Sequence, residues 1–256
     1  MTHSLMHAEI REIPDAVARL LDQGGAAIRA AADAARDRDP VFIATVARGS
    51  SDHAATYLKY LAELALGLPV ASIGPSVASI YGAKLRLGGA LTVSISQSGR
   101  SPDIVELARA ARAGGALTLA VTNDPASPVA QASDGRLALH AGPDRSVAAT
   151  KTFVTSAVAC LSLIAEWSRD AALIRAIATL PDAFARAISA DWSPLAAALK
   201  DAGTLYTLGR GPAWAMSNEA ALKFKETCLI HAESYSSAEV LHGPVSIVSP
   251  GFPVLA

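Results

Sequence analysis

The sequence has 256 residues, of which 51% are hydrophobic and 5% aromatic, with 22 basic and 23 acidic side chains. This length is enough to bury a substantial core, and the balanced charge, without a basic stripe or tail, argues against a nucleic acid or an anionic membrane as a partner. Because no apolar run is long enough to span a bilayer and the first residues lack a signal-peptide pattern, we expect a cytoplasmic protein.

Along the chain, amphipathic helices alternate with short apolar strands. Pro14 predicts the start of a helix with an apolar stripe, and the alanine-rich residues 25–36 predict another. Strands are predicted at residues 41–46, 69–73, 91–95, 116–122 and 137–140, and helices at about 52–66, at 76–81, after Ser101 and at 150–167. This alternation predicts an α/β fold with a parallel sheet.

The second part of the chain repeats the first. Residues 170–200 are predicted to be helical and to lead into a segment, residues 203–235, that aligns with residues 41–73 at an offset of 162 without gaps. Strand, Arg-Gly turn, helix and next strand coincide in order, which predicts two copies of one βαβ-based fold. We therefore expect a helical segment at 1–34, a first domain at 35–168, a helical connector at 169–199 and a second domain at 200–256.

The stretch LTVSISQSGRSPD at residues 91–103 carries the clearest chemical signal. An apolar strand leads into hydroxyl, amide and glycine groups at residues 96–99, and Ser101 and Pro102 then open a helix. Unpaired backbone N–H groups and O–H donors would converge on one point, which suits an anion such as a phosphate ester. The alternative is a well-capped βα turn that binds nothing.

The second copy differs from the first in its ionisable groups. Apolar positions of the first copy correspond to Lys223, Glu226 and His242. This difference predicts phosphate binding in the first copy and proton transfer in the second. The alternative is a solvated helix face, because Glu219, Lys223 and Glu226 are spaced i, i+4, i+7, with His242 capping a turn.

Other candidate groups point to no cofactor. The spacing of histidines, cysteines and acids predicts no metal site, and no complete dinucleotide-binding fingerprint occurs. The isolated cysteines indicate neither a disulfide framework nor a metal cluster, and three histidines are expected to be structural: Cys160, Cys228, His53, His140 and His231.

Four motifs in order resemble the tandem sugar isomerase (SIS) domain family. They are SQSGRSPD at 96–103, VAATK at 147–151, ALKFKE at 221–226 and the segment from IHAE to LHGP at 230–244. The opening AEIREIP at 8–14 also fits, so the resemblance covers nearly the whole chain. It is closest to the isomerase half of glucosamine-6-phosphate synthase and to stand-alone SIS-type glucosamine-6-phosphate deaminases.

The resemblance implies two flavodoxin-like parallel-sheet domains, a homodimer with a site shared between subunits, and no cofactor or metal. It implies that Glu226 moves a proton between C1 and C2, with Lys223 one helical turn before it, and that His242 opens the sugar ring from the neighbouring subunit. The Val147 backbone would contact the sugar. The phosphate would be held by Gly49, Ser50, Ser51, Ser96, Gln97, Ser98 and Ser101.

From this resemblance we expect a phosphosugar aldose–ketose isomerase or deaminase that converts glucosamine 6-phosphate to fructose 6-phosphate and ammonia. The alternatives are a fructosyl-amine 6-phosphate deglycase and a non-catalytic sugar-phosphate sensor.

Three departures from the family pattern qualify the resemblance. No glutaminase domain precedes the first helix, so glutamine-dependent synthesis is not expected. Ala149 stands where relatives often carry serine. The chain ends at the predicted third strand of the second sheet, residues 252–256, so we expect a fragment of a longer protein or a sheet completed by a partner.

Overall fold

The structure, a computed structural model, describes residues 4–256. The chain divides into two units between Ala185 and Arg186. Each unit is built on a parallel sheet, so the predicted fold class is confirmed. No helix within the described residues is long and apolar enough to cross a membrane.

Five parallel strands form the sheet of the first unit: β1 (Phe42–Val46), β2 (Val70–Ser72), β3 (Ala90–Ile95), β4 (Leu117–Thr122) and β5 (Gly135–Ala138). Their order is β2-β1-β3-β4-β5. All six residues of β3 are buried, as expected for a central strand of a sheet covered by helices. The predicted strands are confirmed, with β5 two residues earlier than expected.

The helices of this unit are α1 (Leu5–Arg11), α2 (Ile13–Arg38), α3 (Ser50–Ala65), α4 (Ser76–Ser79), α5 (Pro102–Ala113), α6 (Pro128–Ala132), α7 (Lys151–Ser168), α8 (Ala171–Ile177) and α9 (Leu180–Ser189), which runs past the boundary into the second unit. Val46 and Ala120 of the sheet pack against α5 and α6 through Ile104, Leu107 and Val129. Helices α2 and α3 each pack against α7.

Helix α2 is one continuous helix where the sequence predicts two apolar segments. A single glycine costs a helix only about 1 kcal/mol, so Gly24 and Gly25 do not break it. Gly24 is buried, and a Cβ there would lie 3.1 Å from Leu20 Cδ1 and 3.7 Å from His140 Cδ2. The tight contact is the one with Leu20, one turn earlier in the same helix, and the 3.7 Å distance to His140 is an ordinary van der Waals contact.

The second unit contains α10 (Ser193–Leu199), β6 (Thr204–Gly209), α11 (Pro212–Cys228), β7 (His231–Ser236) and β8 (Val254–Leu255), with 3₁₀ helices at Glu239–His242 and Pro244–Ile247. Its strand order is β7-β6-β8, which matches β2-β1-β3 of the first unit. The strand predicted at the end of the chain is thus confirmed as β8, which pairs in parallel with β6.

The two Arg-Gly turns have the same backbone conformation. Gly49 has φ 56° and ψ −136° before α3, and Gly211 has φ 59° and ψ −134° before α11. Only glycine adopts such angles without strain. The offset of 162 residues therefore relates two turns of equal geometry, each leading from a strand into the N-terminus of a helix.

Candidate functional site

The turn between β1 and α3 brings backbone donors and two hydroxyls together. Gly49 occupies the N-cap position of α3, and no side chain caps the helix. Ser50 and Ser51 are its first two residues and are half-buried. The N-terminus of a helix favours an anion, although the Asp52 N–H of this first turn already donates to Gly49 O at 2.9 Å. Burial raises the pKa of the following Asp52, and the nearby His53 lowers it by a smaller amount.

The loop between β3 and α5 folds onto its own hydroxyls. Buried Ser96 accepts a hydrogen bond through Oγ from the Gly99 N–H at 3.2 Å, and Ser98 Oγ accepts one from Arg100 N–H at 3.4 Å. Ser101 is the N-cap residue of α5, but its hydroxyl makes no cap hydrogen bond. The hydroxyls of Ser98 and Ser101 therefore remain half-buried at the start of a helix of 12 residues.

Gly99 has a conformation and a packing that only glycine allows. Its φ is 62°, and a Cβ there would lie 2.2 Å from Ser127 Oγ. The Asn123 N–H donates to Gln97 O at 3.0 Å and ties the loop to the end of β4. The Val129 N–H donates to Gly99 O at 3.0 Å and ties it to α6. Gln97 itself is exposed.

Two ion pairs join these loops. Arg48, just before Gly49, pairs with Asp103 in the first turn of α5. Arg100 pairs with Asp124 after β4 at 2.9 Å. Each arginine thus has a carboxylate partner for its charge, and the hydroxyls and backbone N–H groups of this edge are further donors for an anion. The seven predicted phosphate-binding residues lie together at the carboxyl ends of the adjacent strands β1 and β3.

Val147 lies on a third loop of the same unit, between β5 and α7. Its side chain is 99% exposed, whereas that of Ala148 is buried. Asp144 organises this loop by accepting four hydrogen bonds, from the backbone and hydroxyl groups of Thr150 and Thr152, at 2.5–3.2 Å. Burial raises the pKa of Asp144, but these hydrogen bonds outweigh burial and hold its pKa below the usual value.

In the second unit, α11 carries a row of charges. Lys223 Nζ lies 3.1 Å from Glu219 Oε1 and 2.6 Å from Glu226 Oε2. The Glu219 side chain is only 8% exposed and that of Lys223 19%, so the solvated-face interpretation is wrong for these two residues. The Glu226 side chain is 35% exposed and points its carboxylate at the ammonium group.

His242 lies on a different element from Glu226. It ends the 3₁₀ helix Glu239–His242, is exposed, and precedes Gly243, which has φ 133°. The neighbouring strand β7 carries Glu233, which accepts a hydrogen bond from the Tyr235 hydroxyl at 2.7 Å. This hydrogen bond, with burial and the Glu233 charge, raises the pKa of Tyr235 to about 12.

Sequence reasoning missed several residues that shape these loops. The i, i+4 spacing of Glu219 and Lys223 predicts that the two side chains meet. It does not predict that Glu219 is buried, because exposed pairs on helix surfaces have the same spacing. Asp144 had no such signal, because its spacing to Thr150 and Thr152 matches no regular pattern. Arg48 and Asp103 had none, because they are 55 residues apart in the sequence. Within residues 4–256 the structure contains no cluster of three or more groups that would hold a metal ion.

Comparison with known proteins places this geometry in a family. The sequence profile of the SIS domain matches residues 40–166. A solved structure of a candidate phosphosugar isomerase from Silicibacter pomeroyi DSS-3 is 61% identical, with a TM-score of 0.94 over 97% of this chain and 76% of that one. This chain belongs to the SIS domain family.

Other SIS relatives are larger or more distant. The glutamine–fructose-6-phosphate aminotransferase (isomerizing) of Symbiobacterium thermophilum is 37% identical over 84% of this chain and 37% of its own length. The chain thus spans about a third of the length of this curated relative. The C-terminal domain of the glucosamine-fructose-6-phosphate aminotransferase of Francisella tularensis is 26% identical, with a TM-score of 0.77 over 99% of this chain and 75% of that one.

Proposed function

We propose that this SIS protein is a phosphosugar aldose–ketose isomerase that acts as a deaminase, converting glucosamine 6-phosphate and water to fructose 6-phosphate and ammonia. The observation that carries the proposal is that α3 and α5, whose N-cap residues make no side-chain cap hydrogen bond, both begin at one edge of the sheet beside half-buried serines. These serines are Ser50, Ser51, Ser98 and Ser101. Such an edge suits a phosphate monoester. The named relatives, which act on or are described as acting on phosphosugars, support the same class of ligand.

In this proposal the phosphate is held in the first unit by Gly49, Ser50, Ser51, Ser96, Gln97, Ser98 and Ser101. His242 donates a proton to the ring oxygen, which opens the sugar to its aldehyde form. Glu226 then removes the proton from C2 and returns it to C1, so that the aldose becomes a ketose imine. Water adds to the imine carbon, and ammonia leaves.

Lys223 has a supporting role in this scheme. Its ammonium group lies between Glu219 and Glu226, with a 2.6 Å contact to Glu226 Oε2. The contact fixes the orientation of the carboxylate. A positioned general base contributes about 10²–10⁴-fold to the rate of a proton transfer.

We further propose that the enzyme is a homodimer in which His242 of one subunit serves the site of the other. The basis is the resemblance to SIS enzymes together with the exposure of His242 on its own element.

A substrate panel tests the proposed reaction. The full-length protein is incubated with glucosamine 6-phosphate, fructosyl-amine 6-phosphates and amine-free hexose 6-phosphates, and ammonia and ketose phosphate are measured. The proposal predicts equimolar ammonia and fructose 6-phosphate from glucosamine 6-phosphate. Turnover of only the fructosyl-amine substrates would instead identify a deglycase, and binding without turnover would identify a sensor.

The proposed phosphate-binding residues are tested separately. The double variant Ser98→Ala with Ser101→Ala should weaken binding of a sugar phosphate by about 1–3 kcal/mol, because two hydrogen bonds to a charged acceptor are lost. Calorimetry that finds an unchanged affinity in this variant would contradict the assignment.

A further inference from the structure

The loop of residues 142–150, here called the sugar loop, is anchored by side chains from the N-terminal helices. Arg19 on α2 donates hydrogen bonds to the carbonyl oxygens of His140 at 3.2 Å and of Ala141 at 3.3 Å, where the chain enters the loop. The loop therefore starts from a fixed position.

Glu9 on α1 holds the middle of the sugar loop. It is 3% exposed, and its two carboxylate oxygens accept hydrogen bonds from the N–H groups of Arg145 at 2.6 Å and Ser146 at 3.1 Å. A buried carboxylate is costly unless such bonds compensate it, and bonds to a charged acceptor are stronger than neutral ones. These two N–H groups immediately precede Val147.

Lys151, the residue that follows the sugar loop, connects the two ends of the loop. It is 1% exposed, and its Nζ lies 2.5 Å from Glu12 Oε2 and 2.6 Å from the carbonyl oxygen of Pro143. One ammonium group thus ties the first residues of the loop to the last and both to the start of α2.

The tip of this anchored loop is a valine that packs against none of the residues of its unit that the structure describes. The Val147 side chain is 99% exposed, although Ser146 Oγ donates to Ala148 O at 2.7 Å and fixes the backbone around it. Burying the charges of Glu9 and Lys151 beside the loop costs free energy. The exposed Val147 side chain does not offset this cost, because it gains no packing. The arrangement makes sense if the backbone at the tip must be held in place for a ligand.

We infer that Glu9, Glu12 and Lys151 are positioning residues that hold the sugar loop against the carbohydrate part of the substrate, independently of the phosphate grip. This inference rests on the proposed function, because Val147 is a sugar contact only if a phosphosugar binds. It gives the motifs at residues 8–14 and 147–151 one shared role, in which the first supplies the carboxylates and the second supplies the loop and its lysine.

Calorimetry with two ligands tests the inference. The binding of fructose 6-phosphate and of inorganic phosphate is measured for the wild-type full-length protein, for Glu9→Gln and for Asp22→Asn. In Glu9→Gln an amide NH₂ faces one of the two backbone N–H groups, so the sugar loop loses an anchor while the fold keeps a side chain of equal size. Asp22 is an exposed carboxylate on α2 and serves as the matched control.

We expect Glu9→Gln to weaken fructose 6-phosphate binding about tenfold while leaving inorganic phosphate binding within about twofold of the wild type. Glu12→Gln should shift the two affinities in the same selective way, and Asp22→Asn should change neither. A thermal melt establishes that each variant is folded at the temperature of the measurement.

The following results would overturn the inference. Equal weakening of both ligands in Glu9→Gln would indicate a general structural role, and no change in either would indicate none. If the wild type binds both ligands and Ser98→Ala weakens both, while Glu9→Gln leaves their ratio unchanged, the proposed function stands and only the loop assignment fails. A wild type that binds neither ligand overturns both.

Discussion

Gly99 shows how one residue sets the geometry of the phosphate loop. Its positive φ turns the chain out of β3, and the lack of a Cβ lets the backbone lie against Ser127. The sequence predicts a flexible turn at Gly99. Its packing could not be predicted, because Ser127 follows another strand and its position depends on the order of strands in the sheet.

Gly99→Ala should therefore destabilise the protein and weaken phosphosugar binding. The matched control is Gly67→Ala, because Gly67 has a similar φ of 67° but no atom within 4 Å of the position that a Cβ would occupy. The control carries only the backbone strain of about 1 kcal/mol, whereas Gly99→Ala adds the clash with Ser127. Urea unfolding should give a larger loss for Gly99→Ala, and equal losses would contradict the packing argument.

Asp144 gives the sugar loop a predicted pH dependence. Because its pKa is lower in the folded protein than in the unfolded chain, its charge stabilises the fold above the unfolded value of about 3.9. That contribution is lost as the pH falls through the lower, folded pKa. The difference in unfolding free energy between wild type and Asp144→Asn should be constant near pH 7 and shrink below about pH 4. A difference that persists unchanged to the lowest pH would show that the charge is not responsible.

Among the secondary-structure elements, α11 has a position that the sequence predicts and a pattern of buried charges that it does not. The helix, its start after Gly211 and the charged row could all be predicted. Which charges are buried could not, since a Glu-Lys pair at i, i+4 has the same pattern on a surface as at an interface with a sheet. The packing of α11 on β6 and β7 determines which charges are buried. This packing buries Glu219 but not Glu226.

Glu219→Gln should accordingly cost more stability than removal of a surface partner. Breaking a buried ion pair costs about 3–5 kcal/mol, while an exposed pair contributes about 0.2–1 kcal/mol. The control is Glu106→Gln on α5, whose 3.7 Å pair with Arg109 is more than half exposed on both sides. Similar unfolding free energies for the two variants would show that Glu219 acts as a surface residue.

At the scale of the whole molecule, the repeat was the most useful sequence signal. Weak identity at a constant offset predicted that residues 203–256 would repeat the order of the first three strands, and the structure has that order. The broken helices α8, α9 and α10 were predicted only as a helical connector, because Pro181 and Pro194 mark interruptions without fixing how the pieces pack.

Mixing two inactive variants tests the proposed shared site. If His242 serves the neighbouring subunit, a dimer of one Glu226→Gln and one His242→Asn subunit contains one complete site. Refolding or co-expressing the two variants together should restore about a quarter of wild-type activity, since about half of the dimers are mixed. No restoration, with mixed dimers shown to form by mass spectrometry, would place His242 and Glu226 in the same subunit's site.

Hydrogen exchange at C2 of the substrate shows whether Glu226 moves the proton. The full-length Glu226→Gln enzyme is incubated with glucosamine 6-phosphate in D₂O, and turnover and deuterium incorporation at C2 are followed by NMR. The account predicts a loss of about 10²-fold or more in turnover, no exchange at C2, and little change in affinity for the phosphosugar, because the phosphate is held elsewhere. Wild-type turnover and exchange in this variant would show that a group other than Glu226 moves the proton.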